Sequence, residues 1–336
     1  MPELRKDPVV GRWVIISTER SLRPTNFTTE VPVKTRTFCP FCPGNEEKTP
    51  PEVFAVRPGN DAPNGAGWKV RVVPNKFPAL QIEGTLDRRG EGLYDKMNGV
   101  GAHEVVIESP DHEADLSDLP VEHIRQVLTA YRERMVDLHR DRRLRYVLIF
   151  KNHGAAAGAT LSHTHTQLIA TPIVPKSIQE ELDGSRRYFE LKERCVFCDI
   201  IHQEMAENGR RIVLTSDRFL AIAPFAPRFP FETWILPRRH MDSYQAVSDP
   251  DELEEFATVL KDTLQRLNRA LDRPPFNFVI HTAPVSEGEL EHYHWHLEIM
   301  PKLSRVAGFE IGSGFYINPT PPEDAAQYLR EIAVEA

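Results

Sequence analysis

Apolar positions recur along this chain with two periods, one of two residues in short runs and one of three to four in two long runs. The short runs come first: "RWVIIS" (12–17), "KVRVVP" (69–74), "HEVVIES" (103–109), "RYVLIF" (145–150) and "HTQLIA" (165–170). They are rich in β-branched residues and bounded by turn formers, and so predict strands. Between the third and fourth lies "VEHIRQVLTAYRERMVDLHRD". There Val121, Ile124, Val127, Leu128, Tyr131, Met135 and Leu138 form one helical stripe. The second half repeats this order. Strands are predicted at 211–216, 219–224 and 233–237, then a helix with Leu253, Phe256, Leu260, Leu264, Leu267 and Leu271 on one face, then strands at 276–281 and 295–300. The pattern predicts an α+β fold made of a duplicated unit, antiparallel sheets with packed helices. Its halves are expected at 1–175 and 195–336, with the seam near 175–194.

At 336 residues the chain has room for two such units, and 40% hydrophobic content supplies their cores. A net charge of −8 argues against nucleic acid as a partner, because that binding runs on lysine and arginine. No apolar run reaches the length of a membrane span, and "MPELRKDPVV" has no signal-peptide core. A cytoplasmic, membrane-free protein is expected.

All four cysteines fall in two C-x-x-C pairs, Cys39/Cys42 and Cys195/Cys198. Disulfides are disfavoured in the cytoplasm, and a redox dithiol needs one pair rather than two. Metal binding accounts for both pairs. Each is followed by a single histidine (His112, His240) and then by an H-x-H that starts at His163 or His294. From the single histidine to the H-x-H is 51 residues in the first copy and 54 in the second. Two thiolates and two imidazoles complete a tetrahedral zinc shell with no open position. The expected ligands are Cys39, Cys42, His112 and His163, then Cys195, Cys198, His240 and His294. A lone histidine is more often exposed or hydrogen-bonded than a ligand, and the repeated order reverses that weighting. At His240 the neighbours His202, His281 and His292 remain competitors.

Zinc has no need of His165, which lies two residues beyond His163 on the same strand face. Upstream, the run from Gly154 to Gly158 consists only of glycine and alanine, so its backbone N–H groups can approach an anion. Gln167 follows His165 on that face and can donate to a phosphate oxygen. These parts suit attack of an imidazole on phosphorus and a covalent phospho-histidine. The second half has Glu298 in place of Gln167 and no such loop, so His296 is expected not to be a nucleophile.

The segments "RKDPVVGRWVIISTERSLRP", "CPFC", "VRVVPNKFPAL", "HEVVIESPDH", "FKNHGAAAGATLSHTHTQ" and "GFEIGSGFYINP" together resemble the galactose-1-phosphate uridylyltransferase family of the histidine-triad superfamily. The resemblance spans nearly the whole chain. It implies histidine-triad-like units and ping-pong transfer through His165, from a nucleotide sugar to a sugar phosphate or phosphate. It also implies nucleotide contacts at Asn75, Asn152, Gly158, Thr160 and Gln167, with Arg20 and Arg23 near the base, and a homodimer. The family's usual "HPHGQ" reads "HTHTQ" here, and Ser304 and Phe309 stand where a lysine and a tyrosine are usual. Lys302 and Arg305 could serve a sugar phosphate or be surface charges. Both departures, and the second C-x-x-C, resemble a sister group that transfers AMP, including ADP-glucose phosphorylases. The expected activity is uridylyl transfer between UDP-glucose and galactose 1-phosphate, with AMP transfer as the alternative. A zinc-stabilised nucleotide-binding module is the reading from another class.

Overall fold

The computed structural model describes residues 2–17, 38–59, 62–206, 209–285 and 288–334. The chain opens with a hairpin of β1 (Glu3–Lys6) and β2 (Trp13–Ile16). The Asp7 carboxylate accepts the backbone N–H of Val9 and Val10 at its turn. Next come β3 (Phe54–Val56), β4 (Val70–Pro74), an exposed ribbon of β5 (Arg89–Glu91) and β6 (Tyr94–Lys96), and β7 (Ala102–Ile107). Helix α1 (Val121–Leu138) leads to β8 (Tyr146–His153) and β9 (His165–Thr171). Helices α2 (Lys176–Lys192) and α3 (Val196–Ala206) cross to the second half. That half holds β10 (Ile212–Thr215), β11 (Phe219–Ile222), β12 (Thr233–Pro237), α4 (Pro250–Leu271), β13 (Phe276–His281) and β14 (His296–Pro301). Helix α5 (Gly308–Ser313), β15 (Tyr316–Asn318) and α6 (Pro322–Glu331) end it.

Ten strands form one sheet in the order β10-β11-β12-β14-β13-β8-β9-β7-β4-β3, every neighbouring pair antiparallel. Read outward from the β13–β8 seam, the two halves have the same strand order, which is the duplication seen in the sequence. The N-terminal hairpin crosses over: β2 pairs in parallel with β15, against the antiparallel expectation.

Strand alternation divides the sheet into two faces. One carries Val147, Ile149, Leu168, Ala170, Ile235, Phe278, Ile280, Leu297 and Ile299, packed with α1, α4 and α6 into the main core. The other carries Leu220, Ile222, Trp234 and Leu236 of the second half beneath α2 and α3. The predicted α1 and α4 are present, and Asp249 caps α4 by accepting the N–H of Asp251. The seam, for which no strand or helix was predicted, is helix α2. Gly184 lies in its middle, where a Cβ would come within 1.9 Å of the Val9 carbonyl oxygen. Tertiary packing therefore demands the residue that weakens the helical pattern.

Candidate active site

The predicted metal ligands converge. Cys39, Cys42, His112 and His163 form one group, and Cys195, Cys198, His240 and His294 another, with all ligand atoms of each group within 4.8 Å of one another. His163 Nδ1 is 3.6 Å from both thiol sulfurs, and His112 Nδ1 is 3.3 Å from Cys42 Sγ. In the second group His240 and His294 present Nδ1 to Cys198 Sγ at 3.4 and 3.7 Å. A carbonyl can only accept, so the 2.7 Å contact of His163 Nε2 with Ser109 O leaves Nδ1 bare for a metal. His294 is held likewise by Pro237 O at 2.8 Å. Such backbone anchoring is the usual way of aiming a ligating histidine. Burial, with Cys39 beside it, pushes the Cys42 thiol up to about 11, a cost that a bound cation would relieve. Cys195 precedes the first residue of α3, the placement associated with redox dithiols, but the two facing imidazoles make it a four-donor set.

His165 opens β9 and is 7% exposed. Its Nδ1 donates to the His163 carbonyl at 2.7 Å, so Nε2 carries the lone pair. Burial, then the nearby Lys151 ammonium, lowers its pKa, so the ring is neutral near pH 7. Phe41, inside the first C-x-x-C, meets the ring edge-on at 5.4 Å.

Gln167 is on the same strand face, and its Oε1 is 2.8 Å from His103 Nε2. His103 carries no signal in the sequence. Its Nδ1 accepts the Ala79 N–H at 3.1 Å, so the ring proton is on Nε2 and is donated to Gln167. The Gln167 NH2 group is thereby turned outward as a donor. Asn75 stands beside this pair, with Nδ2 3.1 Å from His103 Nε2. Asn152 lies at the end of β8, and its Oδ1 accepts from Asn277 Nδ2 at 2.8 Å, so its own NH2 is not used in that contact. Asn277 also donates to Ala157 O at 2.8 Å, so the second half ties down the glycine-alanine loop. That loop is a single helical turn between Gly154 (φ 80°) and Gly158 (φ 92°), backbone angles that favour glycine. Gly158 and Thr160 are exposed at its far end. Arg20 and Arg23 lie outside the described residues.

The second half repeats the skeleton with other chemistry. His296 Nδ1 faces the His294 carbonyl at 3.1 Å, as in the first half. Its ring is 1% exposed, stacked on His281 at 4.8 Å and flanked by Phe197 and Trp234 at 4.9 and 5.1 Å. Glu298, in the Gln167 position, is buried against Arg228. Glu181, His281, His296 and Glu298 form a third group with metal-capable donors. Arg228 and His281 already supply counter-charge there. Lys302 rests over the Phe229 ring at 4.7 Å, while Phe309 lies half exposed on α5.

The profile of galactose-1-phosphate uridyl transferase, N-terminal domain, matches residues 1–175, and its C-terminal domain matches 181–334. The chain is 41% identical over 340 residues to ADP-glucose phosphorylase of Arabidopsis thaliana, covering 99% of this chain and 93% of that one. It is 33% identical over 344 residues to galactose-1-phosphate uridylyltransferase of Thermotoga maritima, covering 100% of both. The crystal structure of the Arabidopsis thaliana ADP-glucose phosphorylase with bound ADP-glucose superimposes with a TM-score of 0.85 at 39% identity, covering 99% of this chain and 100% of that one.

Proposed function

The chain belongs to the galactose-1-phosphate uridyl transferase family, and within it we propose an enzyme that moves AMP from ADP-glucose to phosphate through His165. It is a nucleotidyltransferase. His165 Nε2 attacks the α-phosphorus, and the bond to the bridging oxygen breaks with its electron pair leaving on glucose 1-phosphate. A phosphate oxygen then attacks the same phosphorus, the P–N bond breaks, and ADP departs with His165 restored.

The observation that carries this reading is the bare Nε2 of His165 beside the outward-turned Gln167 amide and the Gly154–Gly158 loop. Neutral donors suit a phosphate that must both arrive and leave. The nucleotide is assigned to Asn75, Asn152, Gly158, Thr160 and Gln167, and its base to Arg20 and Arg23. The first half, 1–175, does the chemistry, and the second, 195–336, orients substrate and shares the loop contact through Asn277. Adenine is preferred over uracil because of "HTHTQ", Ser304 and Phe309, and the higher identity to the adenylyl relative. Uridylyl transfer between UDP-glucose and galactose 1-phosphate is the second reading, favoured by the full-length match to the Thermotoga maritima relative.

Both four-donor groups are assigned to structural zinc. Tetrahedral bonds of zinc length put sulfur and nitrogen about 3.5 Å apart. The sulfur–nitrogen distances here are 3.3 to 3.7 Å. Zinc would supply no step of the reaction and would fix the strand that carries His165. Among the described residues no helix is long and apolar enough to cross a membrane. A cytoplasmic homodimer completes the proposal.

The test is to supply ADP-glucose with phosphate, and separately UDP-glucose with galactose 1-phosphate, and to separate the nucleotide products. Faster release of ADP supports the proposal. Faster formation of UDP-galactose transfers it to the uridylyl reading.

A further inference from the structure

Beneath His165, on the helix face of the sheet, lies a charged cluster that no step above uses. Glu108, just past the end of β7, is 0% exposed, and Lys151 on β8 is 1% exposed. The Lys151 ammonium donates to Glu108 Oε2 at 2.5 Å, to Thr164 Oγ1 at 3.0 Å and to the His165 carbonyl at 3.0 Å. Its three N–H bonds are all engaged. Thr164 donates to Glu108 Oε2, and Thr166 to Glu108 Oε1, each at 2.5 Å. The Tyr131 hydroxyl on α1 is 2.7 Å from both Glu108 Oε1 and Thr166 Oγ1. Burial raises the Glu108 carboxyl, but Lys151 and the hydroxyls outweigh it and hold it down at about 2. The two threonines are the residues that make this motif "HTHTQ". Strand alternation turns their side chains away from His165 and Gln167 and into the cluster.

The second half shows what the fold requires at these positions. Phe150 pairs with Gln167 and Val279 with Glu298, so one step along, Ile280 and Leu297 occupy the places of Lys151 and Thr166. Trp295 takes the place of Thr164. Val105 pairs with Gln167 and Trp234 with Glu298, while Ser109 O and Pro237 O hold the matching histidines, so the place of Glu108 falls at Leu236–Pro237, where both residues are apolar. All of these counterparts are buried, and none is charged. The duplicated sheet therefore folds with an apolar filling here. Buried ion pairs are seldom kept for stability, since an apolar filling does as well. Among the described residues, charged and hydroxyl groups fill these positions in the half that holds His165 and not in the other.

We propose that Glu108, Lys151, Thr164 and Thr166 form a clip that positions His165, fixing the backbone of β9 so that Nε2 is aimed at the α-phosphorus. Lys151 and Glu108 are positioning residues: they act through the His165 carbonyl and the flanking threonines and do not touch substrate. The proposal rests on His165 being the nucleophile. In-line attack depends on aim, and misplacement of about 1 Å costs about 100-fold.

The experiment mixes excess ADP-glucose rapidly with the full-length enzyme, without acceptor, and follows the nucleotidylated chain by intact mass. Thr166→Val removes one arm of the clip, and Thr166→Ser restores it. The Glu108→Gln/Lys151→Met double variant removes the ion pair without stranding a charge. Expected are wild-type metal content, wild-type Kd for ADP-glucose and the same final extent of adduct. The rate of adduct formation should be about 10- to 100-fold lower in Thr166→Val and in the double variant, and close to wild type in Thr166→Ser. An unchanged rate in Thr166→Val overturns the proposal even where the double variant does not fold. So does a loss confined to thermal stability. Absence of adduct in the wild-type enzyme overturns the nucleophile assignment and the clip with it, a result distinct from an adduct that forms equally fast in every variant.

Discussion

Gln167 can serve a phosphate only if its NH2 group points outward, and His103 sets that orientation. The Ala79 N–H fixes the His103 tautomer, and the tautomer fixes the Gln167 amide. His103→Leu removes the anchor without touching a metal ligand. Its kcat is expected to fall about tenfold with metal content and thermal midpoint unchanged, as loss of a group that orients a catalytic side chain should do. Steady-state kinetics beside metal analysis checks this. A wild-type kcat would mean that Gln167 is held by other contacts. His163, His165 and Gln167 were readable from the sequence because they follow one another at a two-residue spacing on the way into β9 and along it. His103 was not, because it reaches Gln167 only through the register that sets Val105 against Gln167. Asn277 carries no local signal for the same reason, since its partners Asn152 and Ala157 lie more than a hundred residues away.

At the level of elements, the two four-donor groups each bring a loop or helix start to the strand end that follows an H-x-H. The order of cysteines and histidines made them visible, while the choice of His240 over His202, His281 and His292 came from the fold, which brings it to Cys198. The helix that begins at Val196 was less visible, because "VFCDII" is too short and too uniformly apolar to show a helical period. Helix α2 hid behind Gly184, as its packing against Val9 requires. Metal content separates the two groups. Cys198→Ser should lower bound metal from two ions per chain to one and lower the thermal midpoint, because structural metal contributes to folding directly. Elemental analysis and thermal melts check both. Retention of two ions would exclude the second group as a metal site.

Across the whole molecule, one duplicated sheet carries two H-x-H strands with opposite fates. In the first half the second histidine is neutral and keeps a bare nitrogen. In the second half the same position is walled in by aromatic rings and a carboxylate. The duplication and its α+β class followed from the hydrophobic pattern, while the crossing of β2 to β15 did not, since no local signal announces a pairing three hundred residues apart. The second-half cluster also gives the molecule a pH signature. Burial opposes a charged His281, but Glu181 and Glu298 raise its pKa to about 10. A raised pKa stabilises the fold fully below the unfolded value of about 6.5, and that contribution is lost as pH climbs towards 10. The thermal midpoint should therefore fall between pH 7 and 10 more steeply in the wild-type protein than in His281→Asn, and parallel slopes would contradict the ion-paired assignment.

The proposed transfer passes through a covalent nucleotide on His165. The most direct measurement is the intact mass of the protein after incubation with ADP-glucose and no acceptor, under non-acidic conditions that preserve a phosphorus–nitrogen bond. A gain of one AMP per chain is expected, absent in His165→Ala and discharged by added phosphate. No gain from either ADP-glucose or UDP-glucose, in protein that retains its metal, would contradict it.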